Sequence, residues 1–214
     1  MNENTKKFNK LILNKVAEQL NKNGFEDVSV VDTKSDAVKK VLELIPENSI
    51  VGLGGSMTVR ELGLVEQLSA EKKCKILQHK SGMPIEERKT LWREVFSADF
   101  YLASPQAISY DGKIFFIDKY GNRVAAVIFG PKKVILIAGY NKLVPDLDTA
   151  LWRIKNIAAV KNAIRLGLNT PCVNAGKCMD CSSGERICNV VTYLLKRPSA
   201  TEYSIVLVND ELGY

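Results

Sequence analysis

Residues 49–58 read Ser49-Ile50-Val51-Gly52-Leu53-Gly54-Gly55-Ser56-Met57-Thr58. Ser49–Leu53 is a short apolar run with the composition of a buried strand. It passes directly into glycines, which let the backbone turn sharply and approach a ligand closely. A helix is predicted from Thr58 to Leu68, with Thr58 as N-cap and Glu61 as its capping-box partner. A strand, a glycine turn and a helix in succession is the start of a crossover unit, so the stretch points to a parallel sheet. The free N–H groups at such a helix start suit a phosphate or carboxylate. Gly52, Gly54, Gly55, Ser56 and Thr58 are therefore candidate ligand-binding residues, and Arg60 adds charge beside them. The loop is not a Walker A sequence, because no Gly-Lys-Ser/Thr closes it. It also departs from the dinucleotide fingerprint, with Met57 where Gly or Ala is expected. The competing reading is a tight turn whose glycines serve geometry alone.

Alternation continues on both sides. Residues 8–20 carry Phe8, Leu11, Ile12, Val16 and Leu20 at helical spacing. A strand is expected over Val28–Val31. A helix capped by Ser35 follows over Asp36–Leu44 and ends before Pro46. Downstream come a strand at Lys75–Gln78, a helix over Ile85–Phe96 and a strand at Phe100–Ala103. The middle changes character. Ile114–Ile117, Val124–Phe129 and Val134–Ala138 read as hairpin-connected strands, with turns at Tyr120-Gly121-Asn122 and Gly130-Pro131-Lys132. A long helix is predicted from Asp146 to Leu166, with Gly167 just past its end. A short helix near Val190–Leu195 and a strand at Ser204–Val208 close the sequence. No internal repeat or low-complexity linker interrupts it, so residues 1–214 are expected to form one domain.

Composition bounds the function classes. Hydrophobic residues make up 46% and charged residues 25% of the 214, ordinary values for a globular protein. The longest apolar runs are too short for a membrane span. The N-terminal MNENTKKFNK lacks the apolar core and small-residue cleavage site of a signal peptide, which sets the expectation of a cytoplasmic protein. The net charge of +6 is spread among acids rather than gathered into a basic stripe with stacking aromatics, so nucleic acid is not the expected partner. A small anionic ligand suits the charge.

Four of the five cysteines, Cys172, Cys178, Cys181 and Cys188, are spaced C-x5-C-x2-C-x6-C. In a reducing compartment such a cluster binds metal more readily than it forms disulfides. Four thiolates complete a tetrahedron around Zn²⁺ or hold an iron–sulfur cluster. The spacing matches neither ferredoxin runs nor a zinc ribbon, so both stay open. Elsewhere, Asp111, Asn122, Arg123 and Lys142 are polar residues at expected strand ends, where an open α/β sheet places its ligand crevice. Lys142 and Arg123 suit an anion, Asp111 a base, and all four are candidate catalytic residues. The alternative for Asp111 and Asn122 is ordinary turn chemistry. His79, the single histidine, is a weak signal.

Ala103-Ser104-Pro105-Gln106-Ala107-Ile108, Asp111-Gly112, Gly121-Asn122-Arg123-Val124, Gly130-Pro131-Lys132-Lys133-Val134 and Ala138-Gly139-Tyr140-Asn141-Lys142 together resemble the LUD-domain, lactate-utilisation (LutC-like) family. The segment from Pro171-Cys172 to Cys188-Asn189 resembles a short branch of that family. The resemblance implies a fold of the NagB/RpiA/CoA-transferase kind: an open, mainly parallel sheet flanked by helices, here with a hairpin-rich β insertion. It implies binding of phosphorylated or CoA-type ligands at the glycine loop. It also implies a part in oxidising L-lactate to pyruvate within an iron–sulfur protein complex, with redox partner proteins, and leaves a homodimer open. Family likeness does not fix a reaction. Two functions follow as expectations. One is a component of an oxidoreductase complex, with an iron–sulfur cluster at the cysteines. The other is an isomerase-like or ligand-binding domain with a structural zinc. Whether the chain is an enzyme by itself stays open.

Overall fold

A computed structural model describes residues 2–214. Its strands are β1 (Asp27–Val31), β2 (Ile50–Leu53), β3 (Lys75–Leu77), β4 (Phe100–Ala103), β5 (Ala107–Ser109), β6 (Ile114–Asp118), β7 (Lys133–Gly139), β8 (Leu143–Val144), β9 (Val190–Leu194) and β10 (Glu202–Val208). Six form a sheet in the order β1-β10-β7-β4-β2-β3, with every pairing parallel. The other four form a second sheet in the order β8-β5-β6-β9.

The central strand β7, KVILIAG, explains why the first sheet must be covered on both faces. Val134, Leu136 and Ala138 point into one apolar core, and Ile135 and Ile137 into another. The two-residue period of a strand sends successive side chains to opposite faces, so a continuous apolar run needs two covers. Helix α1 (Glu3–Lys22) supplies Leu13, Val16 and Leu20 to the first core. Helices α2 (Lys34–Leu44), α3 (Met57–Glu61) and α4 (Leu64–Ala70) supply Ala37, Val41, Val59, Leu64 and Leu68 to the second. The second sheet splits the same way. Ile114 and Phe116 join the first core, while Phe115 and Ile117 pack on Ala150 and Ile154.

The remaining helices are α5 (Ile85–Glu94), α6 (Asn122–Ile128), α7 (Leu147–Arg153), α8 (Ala159–Arg165) and α9 (Pro171–Ala175). A π turn, Ile154–Ala158, joins α7 to α8, so the long helix expected over 146–166 is interrupted. Gly167, at φ +64°, terminates it with the expected left-handed cap.

Several local expectations are corrected. Val124–Phe129 is not a strand but most of α6: Gly121 at φ +78° redirects the chain, and one Asp118 carboxylate oxygen accepts the N–H groups of Arg123 and Val124. Among the described residues only the β5–β6 pair is a hairpin; β7 leaves for the centre of the other sheet. Val190–Leu194 is a strand antiparallel to β6, not a helix. Its VVTYL sequence is β-branched and aromatic, and Phe115 stacks on Tyr193 across the pair. The N-cap of α2 is Thr33 rather than Ser35, and that of α3 is Ser56 rather than Thr58. The predicted Thr58–Leu68 helix breaks at Gly63 into α3 and α4. No helix among the described residues is long and apolar enough to cross a membrane.

Candidate functional site

The C-terminal ends of β2, β3, β4 and β7 deliver Gly55–Thr58, His79, Ser104 and Lys142 to one cavity of about 360 Å³. This is where an open parallel sheet leaves a crevice. The glycine loop divides its labour. A Cβ on Gly52 would lie 2.8 Å from Val95 Cγ1, and one on Gly54 would lie 2.8 Å from the Tyr101 hydroxyl and 3.1 Å from Arg123 Cδ. Those two glycines permit close packing and do not border the cavity, whereas Gly55, Ser56 and Thr58 do. The helix behind the loop has five residues, and Ser56 Oγ is spent on accepting the Val59 N–H. The positive character of the site therefore comes from side chains.

Five cations line the cavity, Arg60, Arg88, Lys119, Arg123 and Arg165, together with the Lys142 amine. Among the described residues none of them takes part in an ion pair. One acid, Asp118, lines it, and its carboxylate is engaged by three backbone N–H groups, those of Lys119, Arg123 and Val124. Arg123 is buried and donates one Nη2 bond to the Ile117 carbonyl at 2.5 Å, with no other side-chain acceptor among the described residues. Such a surplus of unneutralised positive charge is stable only where an anion or water completes it.

Lys142 is 2% exposed, in the short turn Tyr140–Lys142 after β7. Its Nζ donates to Thr58 Oγ1 at 2.8 Å and to Ser104 Oγ at 2.7 Å. Burial, reinforced by Arg153 and Arg123, pushes its pKa down to about 7. Behind it the buried Arg153 donates to the carbonyls of Gln106 and Asn141, fixing the strand ends around the site. At the rim, Trp92 of α5 packs edge-on to His79 and lies against Tyr120 with centroids 5.1 Å apart. Burial, with Arg88 and Arg60 nearby, lowers the His79 pKa.

Of the candidate catalytic residues, Asn122, Arg123 and Lys142 meet in the cavity. Asp111 does not. It sits in the β5–β6 turn, bonded to Ser109 and Lys113. Arg88 and Trp92 on α5, Arg165 on α8 and Tyr214 escaped the sequence reading. The sequence offers a signal only for the first two, a Trp in the charge-rich stretch EERKTLWRE.

The four cysteines lie outside the cavity, although Ile187, next to Cys188, borders it. The thiols of Cys172, Cys178, Cys181 and Cys188 are free. The Cys178 N–H is held by Asn156 Oδ1 of the π turn at 3.0 Å. Arg186 folds the segment back by donating to the carbonyls of both Cys181 and Cys188. Burial raises the Cys188 thiol pKa; Arg186 opposes this, and Cys178, Cys181 and Cys172 add to it. Two sulfurs already have polar contacts of the kind that tune metal thiolates: the Asp180 N–H to Cys178 Sγ at 3.5 Å and Thr170 Oγ1 to Cys172 Sγ at 3.2 Å. Four soft donors, two of them with such contacts, fit zinc or an iron–sulfur cluster by chemistry. Among the described residues no three His, Cys, Asp or Glu side chains stand in a ligating arrangement.

Parallel sheet, flanking helices and a crevice at the strand ends define an open-sheet α/β protein. The LUD domain family model matches residues 13–208, and the chain belongs to that family, which is linked to lactate utilisation. Among solved structures, a DUF162 family protein from Deinococcus radiodurans is similar with a TM-score of 0.55 at 12% identity, over 94% of this chain and 98% of that one. Ribose 5-phosphate isomerase from Plasmodium falciparum is similar at 18% identity over 52% of each chain, with a TM-score of 0.34. For eIF2B beta from Chaetomium thermophilum the identity is 14%, over 54% of this chain and 44% of that one, with a TM-score of 0.39. No curated protein matches the chain.

Proposed function

We propose that the cavity binds a small organic anion, a carboxylate or phosphate, and that the chain serves as a component of L-lactate oxidation to pyruvate. The observation that carries this reading is the set of five lining cations without an ion-pair partner, against one acid already engaged by backbone N–H groups. Arg123 presents unused guanidinium donors suited to bidentate carboxylate or phosphate recognition. In this reading Cys172, Cys178, Cys181 and Cys188 hold an iron–sulfur cluster, which supplies one-electron chemistry when bound and makes iron–sulfur redox proteins the natural partners. The link of the family to lactate utilisation supports that assignment.

A second reading has one observation in its favour. Cys188 packs against the core formed by Phe115, Ala150 and Ile154, and the Asn189 N–H bonds the Asp118 carbonyl. A metal there would tie the segment to the second sheet, so the site would be a structural zinc in a phosphosugar- or CoA-type binding domain. The anion reading is tested by calorimetric titration with L-lactate, pyruvate and inorganic phosphate. At least one is expected to bind, and Arg123→Ala is expected to weaken it about tenfold or more, the loss of one charge-assisted pair. Failure of all three to bind up to tens of millimolar would sink it.

A further inference from the structure

Lys142 has a hydrogen-bond arithmetic that a positioning lysine does not need. Ser104 donates its own hydroxyl proton to the Ile137 carbonyl at 2.6 Å, and Thr58 directs its proton at the Leu212 carbonyl at 3.4 Å. Both hydroxyl oxygens therefore act as acceptors toward Nζ, at 2.7 and 2.8 Å. An ammonium has three protons and would leave one to be satisfied in a buried site. A neutral amine has two, and the two hydroxyls take both. What remains is a lone pair in the fourth tetrahedral direction, on a side chain that borders the cavity.

The surroundings favour that neutral form. The charged groups that face Nζ are Arg123 of α6 and Arg153, at the end of α7, both cations, and Glu61 of α3. Glu61 already accepts the Gly213 N–H at 2.9 Å, and among the described residues no carboxylate pairs with Lys142. A desolvated amine beside other cations is how proteins make a lysine nucleophilic. Arg123 lines the same cavity with free donors.

We propose that Lys142 is an imine-forming residue and that the cavity takes a 2-oxo acid, with its carboxylate on Arg123 and its carbonyl carbon at Nζ. The lone pair attacks the carbonyl carbon, and a C–N bond forms. The two amine protons pass to the carbonyl oxygen, which leaves as water, and a C=N double bond remains. Nothing is oxidised or reduced. The Thr58 and Ser104 hydroxyls, already bonded to Nζ, are placed to relay those protons. This inference rests on the anion-binding reading above.

The test is to incubate the full chain with pyruvate and sodium borohydride, which reduces an imine to a stable amine, and then to map the adduct by mass spectrometry. One reduced pyruvate per chain is expected, on the peptide carrying Lys142. Its rate should be half-maximal near pH 7, the value to which burial brings this amine, rather than near the 10.5 of a free lysine. Lys142→Arg, which keeps the charge, is expected to abolish the adduct. Labelling spread over surface lysines, or no adduct at all, overturns the proposal, and both outcomes are read on the unmutated protein. Pyruvate titrated by calorimetry in parallel separates the two claims. Heat without adduct rejects the imine and leaves anion binding standing. Neither heat nor adduct rejects the imine and removes pyruvate from the anions the cavity accepts.

Discussion

Lys142 links the chemistry of the cavity to the stability of the chain. Its folded pKa of about 7 lies below the ordinary 10.5, so between those values the unfolded chain binds a proton that the folded chain does not. Stability then rises with pH across that window, and the full penalty of burying the charge is felt below about pH 7. Each unit of such a shift corresponds to about 1.4 kcal/mol. Unfolding by urea at about pH 7 and about pH 10 should show the unmutated chain gaining several kcal/mol, and Lys142→Met should flatten the gain. An equal pH dependence in the variant would mean that other groups cause it. The sequence marks Lys142, Arg123 and Asn122 as polar residues at strand ends, and the fold gathers them. It gives no sign that Lys142 is buried, because that depends on Thr58, Ser104 and Leu212, which lie 84, 38 and 70 residues away along the chain.

At the scale of elements, α6 shows how a local pattern misleads. Val124, Val127 and Ile128 are β-branched, and a six-residue apolar run fits a buried strand as well as a helix. What decides is Asp118, four residues before α6 begins, whose carboxylate accepts the N–H groups of Arg123 and Val124. Asp118→Ala should cost about 1 kcal/mol, the usual worth of a helix N-cap, measured by chemical denaturation. It should leave anion affinity intact or raise it, since it removes the sole acid of the cavity. A loss of affinity without a loss of stability would show that Asp118 contacts the ligand instead. Val190–Leu194 errs in the opposite direction: its β-branched and aromatic residues favour a strand, and pairing with β6 fixes it.

At the scale of the molecule, the cysteine segment is fastened between the π turn, through Asn156, and the second sheet, through Asn189. Protein purified without oxygen should contain iron with matching acid-labile sulfide and absorb in the visible, and the paired substitution Cys178→Ser, Cys181→Ser should remove both. Zinc with no colour would replace the cluster by the structural reading. By itself the sequence determined the alternation of strands and helices, the glycine turn after β2 and the four-thiol composition. These depend on periodicity and on residue types within a few positions of one another. Only the tertiary structure decided that β7 belongs at the centre of the parallel sheet, that Gly52 and Gly54 serve packing while Gly55 faces the cavity, and that Asp111 stands apart. It also brought Arg88 and Arg165 from two separate helices to the same cavity as Arg60, Arg123 and Lys142. Charges on different helices read as solvated faces until the sheet brings those helices together, and only then does their lack of counter-ions become a property of one site.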